Sequence, residues 1–317
     1  MSPRTALFAL TAMSTALTAL AFPATAATRE DGLSTITING ANAYPESIAT
    51  DNRYIYTGSI ADGTVYRGRL GSKALDPFLP GGRDDRTEVS GIKISGNRLV
   101  VAGAFTGRLF TYTSTGKLVA SYSVPDSGEK TLVNDEAVAP NGDVYVTDSF
   151  RPVLYRIPAA EVHGPATGAH RTLQAASRLP DYVAGQSNGN GIVATPDGKS
   201  LIIGYWYSGA LYRLTLATGE IRKIAAPPLT SADGMMLRGN TLYIARSVNN
   251  EITTVRLSCD YTQATVVGER TYPGADTTTG VAVSGDRLLV SNSQMNGYLR
   301  GDPPTSPVFT LESLPLR

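Results

Sequence analysis

The stretch from Ser187 to Glu220, SNGNGIVATPDGKSLIIGYWYSGALYRLTLATGE, returns in imperfect copy along most of the chain, and such a repeat narrows the possible folds more than any other feature. Gly189, Asn190 and Gly191 open it, Ile192 to Thr195 make a short apolar strand, and Pro196-Asp197-Gly198 reads as a turn. Leu201 to Tyr205 is a second strand; Ser208 and Gly209 turn the chain again into an alternating third, Ala210 to Leu216. Five further copies start at Pro45, Ser90, Asn134, Asp233 and Thr279, at a spacing of about 43 to 55 residues that belongs to propellers or solenoids. The last copy lacks its outer strands, and Ser34 to Asn39 (STITIN), ahead of the first copy, is the segment expected to complete it and close the ring. The expected fold is all-β, a six-bladed β-propeller of four-stranded antiparallel blades.

The first 26 residues read as a secretory signal peptide rather than as part of that fold. Arg4 supplies the charged start, Ala6 to Phe22 is apolar but diluted by Thr and Ser, and Ala24-Thr25-Ala26 fits a cleavage site. Residues 27–317 form the expected propeller, exported and extracellular, with no membrane attachment once the signal is removed. Lys and Arg number 28 against 27 Asp and Glu, with no basic run, so nucleic acid is not an expected partner. Cys259 stands alone, which excludes an internal disulfide, and is expected to be a packed small residue. The long irregular connection Pro158 to Gln186 reads as a loop with one helical turn after Ala159. A monomer acting on a small molecule is the expectation.

Laying the copies on one another puts Glu46, Ser90, Asn134, Asn190, Asp233 and Thr279 in one column, each at the start of an innermost strand. Equivalent positions on innermost strands converge on the central channel, so six oxygen-bearing side chains are brought toward one small volume. Glu46 and Asp233 repel there, raising a carboxyl pKa, unless a cation supplies the missing charge. Carboxylates and amides suit a hard divalent cation, calcium first, with magnesium, manganese and zinc as alternatives. Ser90 and Thr279 read equally well as strand-start caps. His163 and His170 fall outside the column, in the long connection, and read as exposed loop residues.

A second column, at the far end of the second strands, reads Ser59, Gly103, Asp148, Gly204, Arg246 and Asn292. Asp148 and Arg246 are candidates to orient a polar substrate. Tyr205, Trp206, Phe105 and Phe150 follow that column and form either an apolar wall for the substrate or packing between blades.

Pro45-Glu46, Asn134-Asp135, Asn190-Gly191 and Asp233-Gly234, in that order on blades one, three, four and five, resemble the metal-site motifs of the regucalcin (senescence marker protein), gluconolactonase and luciferin-regenerating-enzyme family. The resemblance covers nearly all of residues 27–317. It implies a six-bladed propeller with one divalent metal held by Glu46, Asn190 and Asp233, with Asn134 contacting substrate and Asp233 as general base. It also implies hydrolysis of a lactone or other small ester. Family members that act on sugar lactones often carry Arg two residues before the substrate-contacting Asn, whereas this chain has Leu132, and Ser47 follows Glu46 where Gly is commoner. Both departures weigh against an aldonolactone. A non-catalytic extracellular binding module, with the metal only tying blades together, is the alternative.

Overall fold

The computed structural model describes residues 32–51 and 53–316, so the expected signal segment, residues 1–26, lies outside the described residues. The chain enters with β1 (Ser34–Ile38) and then makes a meander of β2 (Pro45–Thr50), β3 (Tyr54–Ser59), β4 (Val65–Arg69) and β5 (Ala74–Leu79). A second meander follows, β6 (Gly91–Ser95), β7 (Arg98–Ala102), β8 (Arg108–Thr113) and β9 (Leu118–Ser123). The third holds β10 (Val133–Val138), β11 (Val144–Asp148) and β12 (Val153–Ile157), then α1 (Ala159–Val162), β13 (Ala169–Thr172) and β14 (Gln174–Arg178). Next come β15 (Gly189–Ala194), β16 (Ser200–Tyr205), β17 (Leu211–Thr215) and β18 (Ile221–Lys223), then β19 (Ala232–Arg238), β20 (Thr241–Arg246), β21 (Glu251–Leu257) and β22 (Ala264–Arg270). The last stretch is β23 (Thr278–Ser284), β24 (Arg287–Asn292), α2 (Met295–Arg300) and β25 (Phe309–Pro315).

These strands make five sheets. Four are meanders of the expected kind, one widened by β13; the other has eight strands in the order β2-β3-β4-β5-β1-β25-β24-β23. Within it β1 pairs antiparallel with β25, from Ser34 opposite Ser313 to Ile38 opposite Phe309, so the two ends of the chain complete one meander as the repeat requires. The other edge of β1 runs parallel to β5 for two residues, Thr37 and Ile38 against Ala74 and Leu75, and joins the two meanders into one sheet. The architecture is all-β and propeller-like. Its innermost strands β2, β6, β10, β15, β19 and β23 touch one another in that order, and β23 returns to β2.

The core is divided rather than central, because each sheet buries both of its faces against neighbours. Among the described residues six buried apolar clusters lie between successive meanders. Tyr56 and Val65 meet Val101 and Phe110, and Val100 and Tyr122 meet Val146 and Tyr155. Farther round, Ile252 meets Val290 and Leu314, and Ile55 and Tyr66 meet Leu289 and Phe309 across the closure. The turn expected at Pro196-Asp197-Gly198 joins β15 to β16: Asp197 Oδ1 accepts the Lys199 N–H at 3.1 Å and Gly198 takes the left-handed φ of 69° that a side chain would strain.

Two sequence expectations need correction here. The connection from Pro158 to Gln186 has its turn of helix, but it also holds β13, parallel to β9, and β14, the outer strand on β12. These strands are polar and exposed on both faces, so they lack the apolar alternation by which a half-buried strand is read. Cys259 is exposed beyond the end of β21 and does not pack. No helix among the described residues is long and apolar enough to cross a membrane.

Candidate functional site

One backbone device aims the site residues. In five of the innermost strands the first residue pairs normally, and the next pair shifts so that three residues of the inner strand span two of its neighbour: Pro45 to Ile48, Val133 to Glu136, Gly189 to Ile192, Ala232 to Met235 and Thr278 to Val281. Each is a β-bulge of one extra residue, which frees the side chain just after the first residue from the pleat. Those side chains are Glu46, Asn134, Asn190, Asp233 and Thr279. β6 pairs regularly from Gly91 opposite Ala102, and Ser90 caps it by donating its hydroxyl to Val133 O at 2.7 Å. Thr279 Oγ1 donates to Glu46 O at 2.5 Å, so Ser90 and Thr279 tie neighbouring strands together.

The strands can approach this closely because glycine follows the site residue where the next backbone leaves no room. A Cβ on Gly191 would lie 2.1 Å from Asp233 O, and one on Gly234 would lie 2.6 Å from Thr279 O.

Glu46, Asn134, Asn190 and Asp233 share two connected spaces. One is a constriction of about 10 Å³, also bounded by Lys93 and Asp135, with room for about one water-sized sphere. The other is a chamber of about 230 Å³ opening from it toward one mouth of the channel. All four side chains are buried. Two larger clefts, of about 920 and 720 Å³, lie against the outer strands β12 and β14 and contain none of the aligned residues.

The charge in the constriction is unbalanced. Burial raises Asp233 from 3.8 to about 7, with the negative charge of Asp135 adding and hydrogen bonds from Ser247 and Asn190 opposing. Burial, then repulsion by Asp233 and Asp135, holds Glu46 well above its ordinary 4.5. Glu136, the residue after Asp135, is also held high, by burial first, with Lys93 opposing and Asp135 adding. Among the described residues Lys93 is the one cation in the constriction. Burial alone would lower it, but Asp135, Glu136 and Glu46 outweigh that and keep its ammonium protonated, ion-paired with Asp135. One ammonium against four carboxyls leaves the centre deficient in positive charge whenever Glu46 and Asp233 are ionised.

The donor set fits a hard divalent cation. Asn190 Oδ1 is buried with no hydrogen-bond partner, an atom whose desolvation only a donor or a cation repays. Asn134 commits Nδ2 to Ser149 Oγ at 2.9 Å, which leaves its carbonyl oxygen as the end available to the chamber. Among the described residues no three His, Cys, Asp or Glu side chains form a metal-binding group, so a cation here must rely on amide oxygens beside two carboxylates. Oxygen-only ligation of that sort belongs to calcium or magnesium chemistry.

The second column does not converge as the first does. Asp148 lies beneath the chamber wall and is fully buried: Oδ1 accepts the backbone N–H of Leu132, Phe150 and Arg151 at 3.0, 3.1 and 3.2 Å, and Oδ2 accepts the Thr131 hydroxyl. It shapes the loops that carry Leu132 and Phe150 to the chamber, and is not itself in contact with it. Arg246 is spent on Glu251 Oε1 at 2.7 Å and Thr230 O at 2.9 Å. Tyr205 packs on Tyr212 with ring centroids 4.6 Å apart and donates its hydroxyl to Pro180 O at 2.7 Å. Trp206 does line the chamber, its Nε1 donating to Ser247 Oγ at 2.9 Å, as do Phe105 and Phe150, whose rings lie 6.2 Å apart.

Sequence reasoning passed over Lys93, Glu136 and α2. A signal for the first two existed. Lys93 interrupts the apolar strand GIKIS, and Asp135-Glu136 places two acids inside an innermost strand, where each has to face a channel or a neighbour. His163 and His170 are exposed, as expected, but His170 lies on β13 and not in a loop; they bond to Ser95 and Ser121.

No protein-family model matches the chain, and no curated protein matches it in sequence. Solved structures match over nearly its whole length. The luciferin-regenerating enzyme is similar at 16% identity and a TM-score of 0.59, over 90% of this chain and 96% of that one. Catalytically inactive virginiamycin B lyase from Staphylococcus aureus, solved with quinupristin, is similar at 15% identity and a TM-score of 0.57, over 90% and 99%. The major Malassezia sympodialis allergen Mala s 1 is similar at 15% identity and a TM-score of 0.62, over 88% and 95%. The likeness defines the class: a propeller-like β fold.

Proposed function

We propose that this chain is a secreted, monomeric, divalent-metal-dependent hydrolase of a lactone or other small ester, built on a six-bladed propeller. The eight-stranded sheet then counts as two blades, because β1 belongs by its five-residue pairing to β25 and only touches β5. One observation carries the functional reading: Glu46, Asn134, Asn190 and Asp233 border both an ion-sized constriction and the chamber above it.

Glu46, Asn190 and Asp233 would hold the cation, calcium by the chemistry of the donors. When bound it supplies Lewis acidity, polarising an ester carbonyl and stabilising the negative charge that develops on its oxygen. Asn134, fixed through Ser149, orients the carbonyl end of the substrate. Asp233 accepts the proton of the attacking water; it borders the chamber beside Ser247 and Trp206 and is held there by hydrogen bonds from Ser247 and Asn190. The surrounding apolar walls exclude bulk water and so strengthen each of these contacts.

The test is a panel of lactones and aryl esters assayed with calcium and again after chelation. Turnover that disappears with the metal and returns on its addition supports the reading. Tight metal binding without turnover of any ester would leave only a binding module.

A further inference from the structure

The chamber's lining says what kind of substrate fits. Ile60, Leu132 and the Phe105–Phe150 ring pair form one apolar side, and Trp206 adds a face whose only polar atom is already bonded to Ser247. The remaining wall comes from α2, through Met295, Asn296 and Leu299. Positions four residues apart lie on one face of a helix, so Met295 and Leu299 present together. No Lys, Arg or His lines the chamber among the described residues, and its only charges are Glu46 and Asp233.

α2 is fastened at its start. Gln294 Oε1 accepts the Ser306 N–H at 2.9 Å, Asn296 N donates to Thr277 Oγ1 at 3.3 Å, and Met295 N donates to Ser293 Oγ at 3.2 Å. Toward its other end Leu299 is 52% exposed, and Phe105 across the mouth is 43% exposed. Two large apolar side chains partly open at the mouth of a polar-floored chamber offer apolar surface that a hydrocarbon would cover. Ligand chambers commonly measure about 300 to 1,000 Å³, so about 230 Å³ takes a smaller molecule of one or two rings.

We infer that the chamber accepts a neutral, largely apolar ring, an aryl ester or hydrocarbon-bearing lactone and not a polyol lactone, and that Met295 and Leu299 on α2 limit its size. This rests on the hydrolase reading for the ester group, while the shape and polarity argument stands on the lining alone. A polyol would surrender its hydration to walls that offer few hydrogen bonds in return. An anionic group away from the cation would find no Lys, Arg or His among the described chamber residues to meet it.

The experiment uses Trp206, the single tryptophan of the chain, as the reporter. Titrating calcium-loaded protein with 1-indanone, a neutral bicyclic ketone with no ester to cleave, should change tryptophan emission saturably, and glucono-1,5-lactone should not. Leu299→Ser, at a position 52% exposed, should weaken indanone about fivefold or more, because it removes apolar contact at the mouth. With the same calcium, kcat/KM for dihydrocoumarin should exceed that for glucono-1,5-lactone by about tenfold or more, the scale on which a pocket separates apolar from mismatched groups. Leu299→Ser should then raise KM for dihydrocoumarin more than it changes kcat. Indanone binding without turnover of any ester overturns hydrolysis and supports the inferred chamber. No emission change with indanone, an equal response to glucono-1,5-lactone, or an unaltered Leu299→Ser titration overturns the inference.

Discussion

Asp233 sets burial against ionisation within one side chain. Its buried carboxyl ionises at about 7 in the fold and at an ordinary 3.8 when the chain is open, so the metal-free fold is favoured by the protonated form. That contribution is fully present below pH 3.8 and lost as pH rises toward about 7. We therefore expect metal-free Asp233→Asn to gain thermal stability relative to wild type as pH is raised from 5 to 8, with calcium restoring the wild type at the upper end; parallel melting curves across that range would contradict it. The same variant should lose turnover by about 10² to 10⁴-fold while keeping an amide oxygen for the metal. Glu46→Gln should chiefly weaken calcium, with activity partly recovered by excess metal. Calorimetric affinity and saturated kcat for both variants separate ligand from base, and normal kcat in calcium-saturated Asp233→Asn would move the base elsewhere. Lys93→Met removes the one ammonium and strands Asp135; with 25% of the lysine side chain still accessible, the low end of the cost of breaking a buried pair applies, about 3 kcal/mol by denaturant unfolding.

At the scale of strands, the bulges and the glycines after them are one device. The extra inner-strand residue turns Asn190 and Asp233 inward, and Gly191 lets β19 come close enough for both to border one constriction. Gly191→Ala would put a Cβ 2.1 Å from Asp233 O, so β15 and β19 must separate. We expect a loss of about 1 to 3 kcal/mol, as for overpacking elsewhere, together with weaker calcium binding. A variant that is destabilised yet binds calcium with wild-type affinity would show that strand spacing does not set the site. Asp148 acts at this scale too. It was expected to meet substrate, but it gathers three backbone N–H groups so that Leu132 and Phe150 stand at the chamber wall.

Across the whole molecule, stability is shared among apolar clusters between neighbouring meanders, with the two chain ends meeting in β1 and β25. Ile38 of β1 is buried at 3% exposure, beside β5 as well as β25. Ile38→Ala should cost about 2 to 5 kcal/mol. Because the ring closes there, the loss should lower a single unfolding transition, seen at the same midpoint by far-ultraviolet circular dichroism and by Trp206 emission from a different meander. Separate midpoints would mean that the closure frays locally. Calcium at about a hundred times its dissociation constant should add about 2.7 kcal/mol to the same transition.

The repeat was enough to read the innermost strands, the all-β class, the meeting of the chain ends and the column whose Glu46, Asn134, Asn190 and Asp233 border the constriction. Those features are local or periodic: apolar alternation sets strands, and a shared position in each copy places Glu46, Asn134, Asn190 and Asp233 at the same height. The roles of Asp148, Arg246 and Tyr205 were not legible, since each was chosen by alignment at a strand end, where loop geometry decides which way a side chain turns. β13 and β14 were hidden because a strand exposed on both faces has no apolar pattern and is held by its neighbour's backbone. α2 was hidden for a related reason. A helix of six residues has too few turns to show a period, and its value as a wall depends on a chamber made by residues from several meanders. Alignment reaches equivalent positions; the partner across space that fixes a loop or neutralises a charge, as Lys93 does for Asp135, exists only once the ring has closed.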